Sequence, residues 1–260
     1  MNIWLLILLC VVQGMTEFLP VSSSGHLIFV EQLFAVTENV MFINLFLHLS
    51  TLLAVIIIYR KIIWKIAKKP FQPLTFKLLI ATMFSVVLAV LYKILRLENV
   101  ETNIYPFAFL VTSIILFLCH LFQKKSVGIL KNEIGFNNAL LVGLVQGVAV
   151  VPGLSRSGST ISSLILSGNS EQKASEFSFL LSIPIIIGGF VLEVFEMNKA
   201  RISLDFFDIN TCIFAFVLTF VVSIFALKLT IKLLKKQKFI VFSVYTFMMF
   251  LVTFIYNFLM

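Results

Sequence analysis

The sequence predicts an all-α polytopic membrane protein, and the prediction rests on its composition and on the distribution of its charges. Hydrophobic residues make up 60% of the 260 residues, charged residues make up only 12%, and the mean hydropathy is +1.08. Soluble domains carry about 25% charged residues, so this composition excludes a water-soluble fold. The net charge of +8 lies in short clusters between apolar segments. That distribution is typical of membrane topology, and we therefore expect no nucleic-acid partner.

Six apolar segments are long enough to cross a hydrocarbon layer of about 30 Å. They cover roughly residues 43–59, 76–94, 104–122, 177–195, 211–229 and 239–258. The loops 60–77, 123–131 and 228–238 are basic, the 97–103 loop is acidic, and the 193–208 loop is mixed. Basic loops favour the cytoplasm, so this alternation predicts that both termini lie outside the cell.

Two further segments, 1–35 and 135–175, are organised differently from the six spans. Each has two apolar stretches that flank a polar centre containing Gly, Pro and Ser. A stretch of about ten helical residues rises only about 15 Å, which is half of a bilayer. Irregular backbone is tolerated at this depth only inside protein or beside a cavity, so each segment is predicted to be a re-entrant helical hairpin.

The two polar centres resemble one another at an offset of 133 residues. Gln13-Gly14 precedes Ser22-Ser23-Ser24-Gly25 by seven residues, and Gln146-Gly147 precedes Ser155-Arg156-Ser157-Gly158 by the same interval. The sequence therefore predicts a single membrane domain over 1–260, with repeat one at 1–122 and repeat two at 135–260. Each repeat has three spans, so the second must be inverted relative to the first. Inverted-topology repeats of this kind are typical of transporters.

The first hairpin tip combines a carboxylate, hydroxyls and an imidazole. Gln13 and Glu17 share one helix face because they are four residues apart. A carboxylate at this depth costs at least a few kcal/mol unless it is paired, hydrated or metal-bound, and a purely structural hydrogen bond is one alternative for Glu17. Ser22 to Ser24 and Gly25 precede a helix that we expect to begin at His26, and helix starts favour anions. These residues are candidates for a nucleophile and its base.

The second tip contributes Arg156, the one basic residue in the membrane-buried part of either hairpin. One interpretation is an ion pair with Glu17 that holds the repeats together. The other is a guanidinium that grips phosphate oxygens, and the two uses can alternate between turnovers. The candidate phosphate-binding residues of both tips are Ser22, Ser24, Gly25, Ser155, Arg156, Ser157, Ser159 and Thr160.

This set of side chains suits phosphoryl chemistry on a lipid-borne phosphate. An arginine stabilises charge on the transferred group, while His26 or Glu17 accepts or donates the proton. Glu17 and Gln13 provide too few ligands for a metal site built from protein groups alone. They are adequate for Mg²⁺ or Ca²⁺ that also binds substrate phosphates. The sequence contains no cluster of the Cys and His ligands that zinc prefers.

The stretches QGMTEFLPVSSSGHL (13–27) and VPGLSRSGSTI (151–161) resemble the two signature motifs of the undecaprenyl-diphosphate phosphatase family, also called bacitracin-resistance proteins. Residues 174–189 resemble the segment that follows the second motif. The resemblance implies hydrolysis of undecaprenyl diphosphate to the monophosphate, which recycles the carrier lipid of cell-wall synthesis. It also implies a divalent-cation requirement, bacitracin tolerance, and a site reached from the outer face of the bacterial plasma membrane.

The catalytic positions of that family correspond here to Glu17, Ser23, His26 and Arg156. Many members have Glu where this chain has Gln13, and relatives usually have Gln where it has His48. Attack by Ser23 with His26 or Glu17 as base is our first choice, while direct attack by His26 or by a water held by Glu17 stays open. Arg156→Ala and Glu17→Ala are each expected to abolish most hydrolysis without loss of the fold.

Two other functions compete with the phosphatase. The inverted repeat by itself favours a transporter or flippase of a polyprenyl phosphate lipid. A transporter must bind an anion but does not need a serine, a carboxylate and a histidine side by side. A structural scaffold does not account for Glu17 and Arg156 near the midplane. The apolar faces of the spans leave a homodimer open, and the three cysteines are predicted to be packing residues.

Overall fold

The computed structural model of the protein describes residues 2–36, 40–95, 101–125, 133–199 and 209–259. Five charged residues of the predicted loops lie outside these ranges: Glu98, Lys131, Arg201, Asp205 and Asp208. The described residues form ten α-helices. In chain order these are α1 (Ile3–Thr16), α2 (Ser23–Leu33), α3 (Val40–Lys68), α4 (Pro73–Ile94), α5 (Glu101–Lys125), α6 (Phe136–Val148), α7 (Arg156–Leu166), α8 (Glu171–Lys199), α9 (Ile209–Lys235) and α10 (Phe239–Leu259).

Six of the described helices, α3 to α5 and α8 to α10, are long and apolar enough to cross a membrane. They correspond to the six predicted spans, so a multi-pass protein is confirmed. Several helices extend beyond the predicted boundaries, most clearly α3, which continues through the basic segment to Lys68. Lysine and arginine are good helix formers whose long side chains reach toward water, so nothing stops this helix before Pro70. Pro73 then occupies the first turn of α4, where its missing N–H costs nothing.

The four short helices form two pairs, and each pair lies where a hairpin is predicted. Their lengths of 14, 11, 13 and 11 residues are too short to cross a bilayer at about 1.5 Å per residue. The second helix of each pair has a serine N-cap. Ser22 Oγ accepts a hydrogen bond from the Gly25 N–H (3.4 Å), and Ser155 Oγ accepts one from the Gly158 N–H (3.0 Å). The Ser22 cap makes α2 begin at Ser23, three residues before the predicted start.

Helices of the first half of the chain pack against helices of the second half. Helix α1 packs against α9, α4 against α6, α5 against α10, and α3 against α8 and α9. Glycine permits α1 to approach α9 closely, since a Cβ added to Gly14 would lie only 2.9 Å from side-chain atoms of Val222. Between α5 and α10, Ser113 Oγ donates to the Ser243 carbonyl (2.8 Å) and Ser243 Oγ donates to the Ser113 carbonyl (2.9 Å). These reciprocal bonds satisfy two buried hydroxyls at the centre of the interface.

The ends of α3, α5 and α9, which carry the predicted basic loops, lie at the same end of the bundle. Glu171 at the start of α8 accepts hydrogen bonds from Gln123 of α5 and from Gln237, which follows α9, both at 2.8 Å. A cavity lined by Lys65 of α3 and Lys173 of α8 joins α3 to the same region. The three basic segments are thus neighbours in space.

The three cysteines are buried, with exposed fractions of 0% for Cys10, 0% for Cys119 and 9% for Cys212. None of the three forms a disulfide bond. Cys10 packs among apolar residues of α1, α2 and α3, and Cys119 belongs to the main apolar core. Both behave as small hydrophobic residues, in agreement with the prediction from their positions in apolar segments.

Candidate active site

The tips of the two hairpins contact one another, backbone against backbone. A Cβ added to Gly25 would lie 2.8 Å from the Cα of Gly153, and Gly153 has a φ of +86°. A Cβ at Gly153 would lie 2.2 Å from the carbonyl oxygen of Tyr105. Ser157 Oγ in the second hairpin donates to the Leu19 carbonyl in the first (3.0 Å). Glycine at both tips is therefore required for the hairpins to meet.

Glu17 is the centre of the polar contacts between the hairpins. It follows α1, and its side chain is only 4% exposed. Ser23 Oγ donates to Glu17 Oε2 at 2.6 Å, Gln13 Nε2 donates to the same oxygen at 3.0 Å, and Arg156 forms a salt bridge with Glu17 Oε1. His48 Nε2 lies 3.8 Å from Oε2. The structure thus brings together three of the four predicted catalytic residues, with Gln13 as predicted on the same helix face as Glu17.

His26, the fourth predicted catalytic residue, lies beside this group but is turned away from it. Its Nδ1–H donates to the Ser22 carbonyl (2.6 Å), which leaves neutral Nε2 as the acceptor of a hydrogen bond from the Tyr245 hydroxyl (2.7 Å). The imidazole stacks on the Tyr245 ring at 5.6 Å between centroids and meets Phe109 edge-on at 5.2 Å. Both ring nitrogens of His26 are therefore engaged in the structure.

Ser22 holds an unusual backbone conformation at the tip. Its φ is +69°, a region that residues other than glycine seldom adopt and that costs about 1–3 kcal/mol. The bond from His26 Nδ1 to the Ser22 carbonyl and the bond from the Gly25 N–H to Ser22 Oγ both stabilise this conformation. It allows Ser22 to cap α2 while the next residue, Ser23, reaches back to Glu17.

A cavity of about 230 Å³ opens beside Glu17 between the two hairpins, α3 and α8. The predicted residues that line it are Glu17, Ser22, Ser23, Ser24, Ser155 and Arg156; its other walls are Leu45, His48, Ala149, Leu154, Ile185, Ile186, Gly189, Phe190 and Glu193. Ser23 and Arg156 are the first residues of α2 and α7. Two helix N-termini therefore border the cavity and favour an anion there.

Four of the predicted phosphate-binding residues are not among the cavity-lining residues. Gly25 packs at the contact between the tips, and Ser157 bonds to Leu19. Thr160 hydrogen-bonds with Ser178 Oγ on α8 (2.6 Å). Ser159 is buried, and its hydroxyl has no hydrogen-bond partner among the described residues. Of the four, Ser157 and Thr160 link the second hairpin to the first hairpin and to α8.

Sequence reasoning did not assign a role to three residues at or near the cavity. His48 was noted only as a departure from the family pattern, yet its imidazole lines the cavity. Glu193 was placed in a loop, but it lies inside α8 on the face that also carries Ile186 and Gly189, and that helical spacing could have indicated it. Tyr245 gave no such signal, since its contact with His26 joins residues 219 positions apart.

The donor set suits a divalent cation only in combination with a substrate. Within the described ranges no group of three or more His, Cys, Asp or Glu side chains could hold a metal ion. Glu17 offers one carboxylate, and Gln13 Oε1 is a buried acceptor without a partner in the described structure. Glu193 adds a second carboxylate to the cavity wall. One or two carboxylates together with phosphate oxygens and water are a common ligand set for Mg²⁺.

Comparison with known proteins places the chain in a family. The model of the family described as bacitracin resistance protein BacA matches residues 6–252. A protein of Carboxydothermus hydrogenoformans named undecaprenyl-diphosphatase is 35% identical over 94% of this chain and 94% of its own length. Proteins of the same name from Borrelia recurrentis and Alkaliphilus metalliredigens are 36% and 35% identical, over 94% and 92% of this chain and 95% and 93% of their own lengths.

These matches confirm the resemblance of the two hairpin motifs, and they extend it from the motifs to nearly the whole chain. The tips carry the motif residues and meet at Glu17, Ser23 and Arg156. The chain belongs to the bacitracin resistance protein BacA family.

Proposed function

We propose that the protein is an integral-membrane phosphatase that hydrolyses undecaprenyl diphosphate to undecaprenyl phosphate and inorganic phosphate. The observation that carries the proposal is the contact of Glu17 with both Ser23 Oγ and Arg156 in a cavity that two helix N-termini border. This arrangement supplies a nucleophile, a proton acceptor and a phosphate-binding cation within one small volume. The three relatives described above carry the name undecaprenyl-diphosphatase.

In the first step the diphosphate enters the cavity and Arg156 exchanges the Glu17 carboxylate for oxygens of the terminal phosphate. A guanidinium binds phosphate with the same paired donors that it offers to a carboxylate, so the exchange conserves its hydrogen bonds. The exchange also releases Glu17 Oε1, while Oε2 keeps its bond from Ser23 Oγ. Substrate binding thereby frees the carboxylate that must accept a proton.

In the second step Ser23 Oγ attacks the terminal phosphorus and transfers its proton to Glu17. The bond from that phosphorus to the bridging oxygen breaks, the leaving undecaprenyl phosphate takes the proton from Glu17, and the carboxylate is thereby regenerated. Arg156 and the N–H groups at the starts of α2 and α7 stabilise the charge on the transferred phosphoryl group. Water then hydrolyses the phosphoserine with Glu17 as the base, which releases inorganic phosphate and restores the hydroxyl. Attack by a water held on Glu17 is the alternative, and the engaged nitrogens of His26 favour either route over attack by His26.

We assign the divalent cation, Mg²⁺ or Ca²⁺, to the region between Glu17 and the diphosphate, with Gln13 as the neighbouring amide. A bound cation neutralises charge on the phosphate oxygens. Glu193 lines the same cavity and offers a second carboxylate to such a cation. The Glu193 carboxylate thus compensates in part for the carboxylate that Gln13 lacks.

We further propose that the chain is an inverted-topology repeat with the site open to the outer face. Two short helices followed by three long ones occur twice, and the reciprocal Ser113 and Ser243 bonds support a two-fold relation between the halves. The site cavity uses the C-terminal half of α8, through Gly189 and Glu193, whereas the basic segments gather near the start of α8. Basic segments favour the cytoplasm, so the start of α8 faces the cytoplasm. The site cavity, beside the C-terminal half of α8, then faces the outer side.

The test is phosphate release from undecaprenyl diphosphate by detergent-purified protein with Mg²⁺, Ca²⁺ or EDTA. We expect cation-dependent release that Arg156→Lys reduces by about 10²-fold or more, because a lysine cannot offer the paired donors. Lys228→Arg, at an exposed position on α9, is the matched control and keeps full activity. Absence of release from wild-type protein that still binds the lipid would favour the transporter function instead.

A further inference from the structure

A second and larger cavity, of about 480 Å³, lies at the basic end of the bundle. Four parts of the chain line it: the end of α3, the start of α4, the residues before α6, and the start of α8. It shares no lining residue with the cavity beside Glu17. Nothing in the proposed reaction uses it.

The polar lining of this cavity favours an anion. Lys65, Lys77 and Lys173 line it together with Glu133 and Glu176. Lys173 is already paired with Glu176 at 3.1 Å, whereas no ion pair is found for Lys65 or Lys77 among the described residues. The Lys77 ammonium lies 5.3 Å from the centre of the Phe136 ring, which holds it beside the cavity.

Gln72 adds a donor that lacks an acceptor. Its Nε2 is buried without a hydrogen-bond partner in the described structure, although Gln72 lines the cavity. Gln72 is also the N-cap residue of α4, and its side chain makes no capping bond. The first turn of α4 contains no acidic residue, so the positive end of this helix is uncompensated there. A buried amide N–H without an acceptor destabilises the folded protein, and an anionic ligand supplies the missing acceptor.

We propose that this cavity binds the headgroup of an anionic glycerophospholipid from the leaflet at the basic end of the bundle. The phosphate lies between Lys65, Lys77 and Gln72. The other walls are apolar, from Ile62, Leu74, Ile134, Phe177 and Leu180, and suit the upper part of an acyl chain. The ends of spanning helices lie at the depth of the headgroups, and basic pockets between such helices are suited to acidic lipids.

The apolar walls distinguish a lipid from free phosphate as the occupant. Inorganic phosphate would contact the lysine ammonium groups and the Gln72 amide, but it would leave the apolar walls of the cavity in contact with water. A lipid headgroup uses both parts of the cavity. The site tethers α3, α4 and α8 to one another at the headgroup layer, so its occupancy stabilises the bundle through binding to the folded state.

The experiment is native mass spectrometry of detergent-purified protein titrated with dioctanoyl phosphatidylglycerol, with dioctanoyl phosphatidylcholine as the comparison lipid. We expect one tight phosphatidylglycerol site that the double variant Lys65→Ala/Lys77→Ala weakens by about tenfold or more. Lys228→Ala/Lys232→Ala removes two exposed lysines of α9 outside the cavity and is the matched control. Lys65→Arg/Lys77→Arg keeps both charges and is expected to retain the site.

Three outcomes would overturn the proposal. Equal weakening in the cavity variant and in the α9 control would mean that lipid binds a diffuse basic surface. Equal affinity for phosphatidylglycerol and phosphatidylcholine would exclude recognition of the anionic headgroup. Displacement of the lipid by inorganic phosphate at equal concentration would identify a free-ion site instead. Phosphate release from undecaprenyl diphosphate is measured separately, and its loss or retention does not bear on this site.

Discussion

Arg156 and Glu17 form a salt bridge between the two hairpins, although they are 139 residues apart in the chain. Their side chains are 18% and 4% exposed, so the pair is largely removed from water. Removing one partner of such a pair leaves an uncompensated charge, which costs more than losing a surface contact. The pair therefore contributes to the stability of the fold as well as to the site. Variants of these two residues are expected to change both activity and stability.

Glu17→Ala is expected to abolish hydrolysis and also to lower the stability of the protein, because Arg156 is left without its partner. The cost of breaking a buried pair is about 3–5 kcal/mol, reduced here by the partial exposure of Arg156. The double variant Glu17→Gln/Arg156→Gln is expected to regain stability but not activity. Thermal unfolding in detergent and phosphate release measure the two effects. Equal melting temperatures for Glu17→Ala and wild type would show that the pair does not support the fold.

Ser23→Ala is expected to reduce hydrolysis by about 10³-fold or more, since Ser23 Oγ is the hydroxyl that contacts Glu17. Ser24→Ala is the matched control, because Ser24 lines the same cavity but bonds to Ser22. We expect it to keep activity within about tenfold. The measurement is the initial rate of phosphate release at saturating lipid. A Ser23→Ala variant that stays within tenfold of wild type would mean that a water held by Glu17 is the nucleophile.

Gly153→Ala is expected to destabilise the protein by about 2 kcal/mol or more. The φ of +86° at this position disfavours any residue with a Cβ, and the added carbon would collide with the Tyr105 carbonyl. Gly188→Ala is the control, because a Cβ there contacts nothing within 4 Å. Chemical or thermal unfolding of both variants in the same detergent gives the comparison. Similar stability for the two would contradict the close contact of the hairpin tips.

Glu193→Gln is expected to raise the cation concentration needed for half-maximal activity, with little change of the rate at saturating cation. The carboxylate lines the cavity, and its loss removes an attraction for Mg²⁺ or Ca²⁺. Glu196→Gln on the same helix is the matched control, since Glu196 forms a salt bridge with Lys93 instead. Activity titrated against each cation measures the effect. An unchanged cation requirement in Glu193→Gln would exclude a role for this carboxylate.

Tyr245→Phe is expected to lower the stability of the first hairpin tip and to reduce activity moderately. The substitution leaves buried His26 Nε2 without its hydrogen-bond partner, at a cost of about 1–3 kcal/mol. Tyr256→Phe on the same helix removes a hydroxyl that bonds to the Gln32 carbonyl and serves as the control. Hydrogen exchange at the tip and phosphate release are the measurements. Identical behaviour of the two variants would mean that the contact with His26 has no special role.

Several residues that the sequence singled out lie together around Glu17, because local patterns in the chain placed them at the two hairpin tips. The four-residue spacing of Gln13 and Glu17 predicted a shared helix face, and in the structure Gln13 Nε2 donates a hydrogen bond to Glu17 Oε2. Serine and glycine at the tips predicted helix breaks, and the caps at Ser22 and Ser155 lie there. The predicted start of α2 was wrong by three residues, because a serine cap begins a helix immediately after itself.

The features that sequence reasoning missed depend on contacts between distant parts of the chain. Glu193 belongs to the cavity only because α8 packs beside the first hairpin. The orientation of His26 depends on Tyr245, which reaches it from the last helix. A histidine close to three serines in the sequence suggests a general base. The orientation of the His26 ring, however, depends on the residue that hydrogen-bonds to its second nitrogen.

The sequence by itself determined the membrane class, the six spans, the two short hairpins and the family, because hydrophobic length, charge spacing and motif residues are local properties of the chain. The tertiary structure alone decided which polar side chains line the cavity and which form hydrogen bonds to neighbouring helices instead. Low-dielectric surroundings make a buried polar group without a partner costly, and the partners of Arg156 and of His26 Nε2 come from distant parts of the chain. Arg156 turns to Glu17, and His26 turns to Tyr245, for that reason.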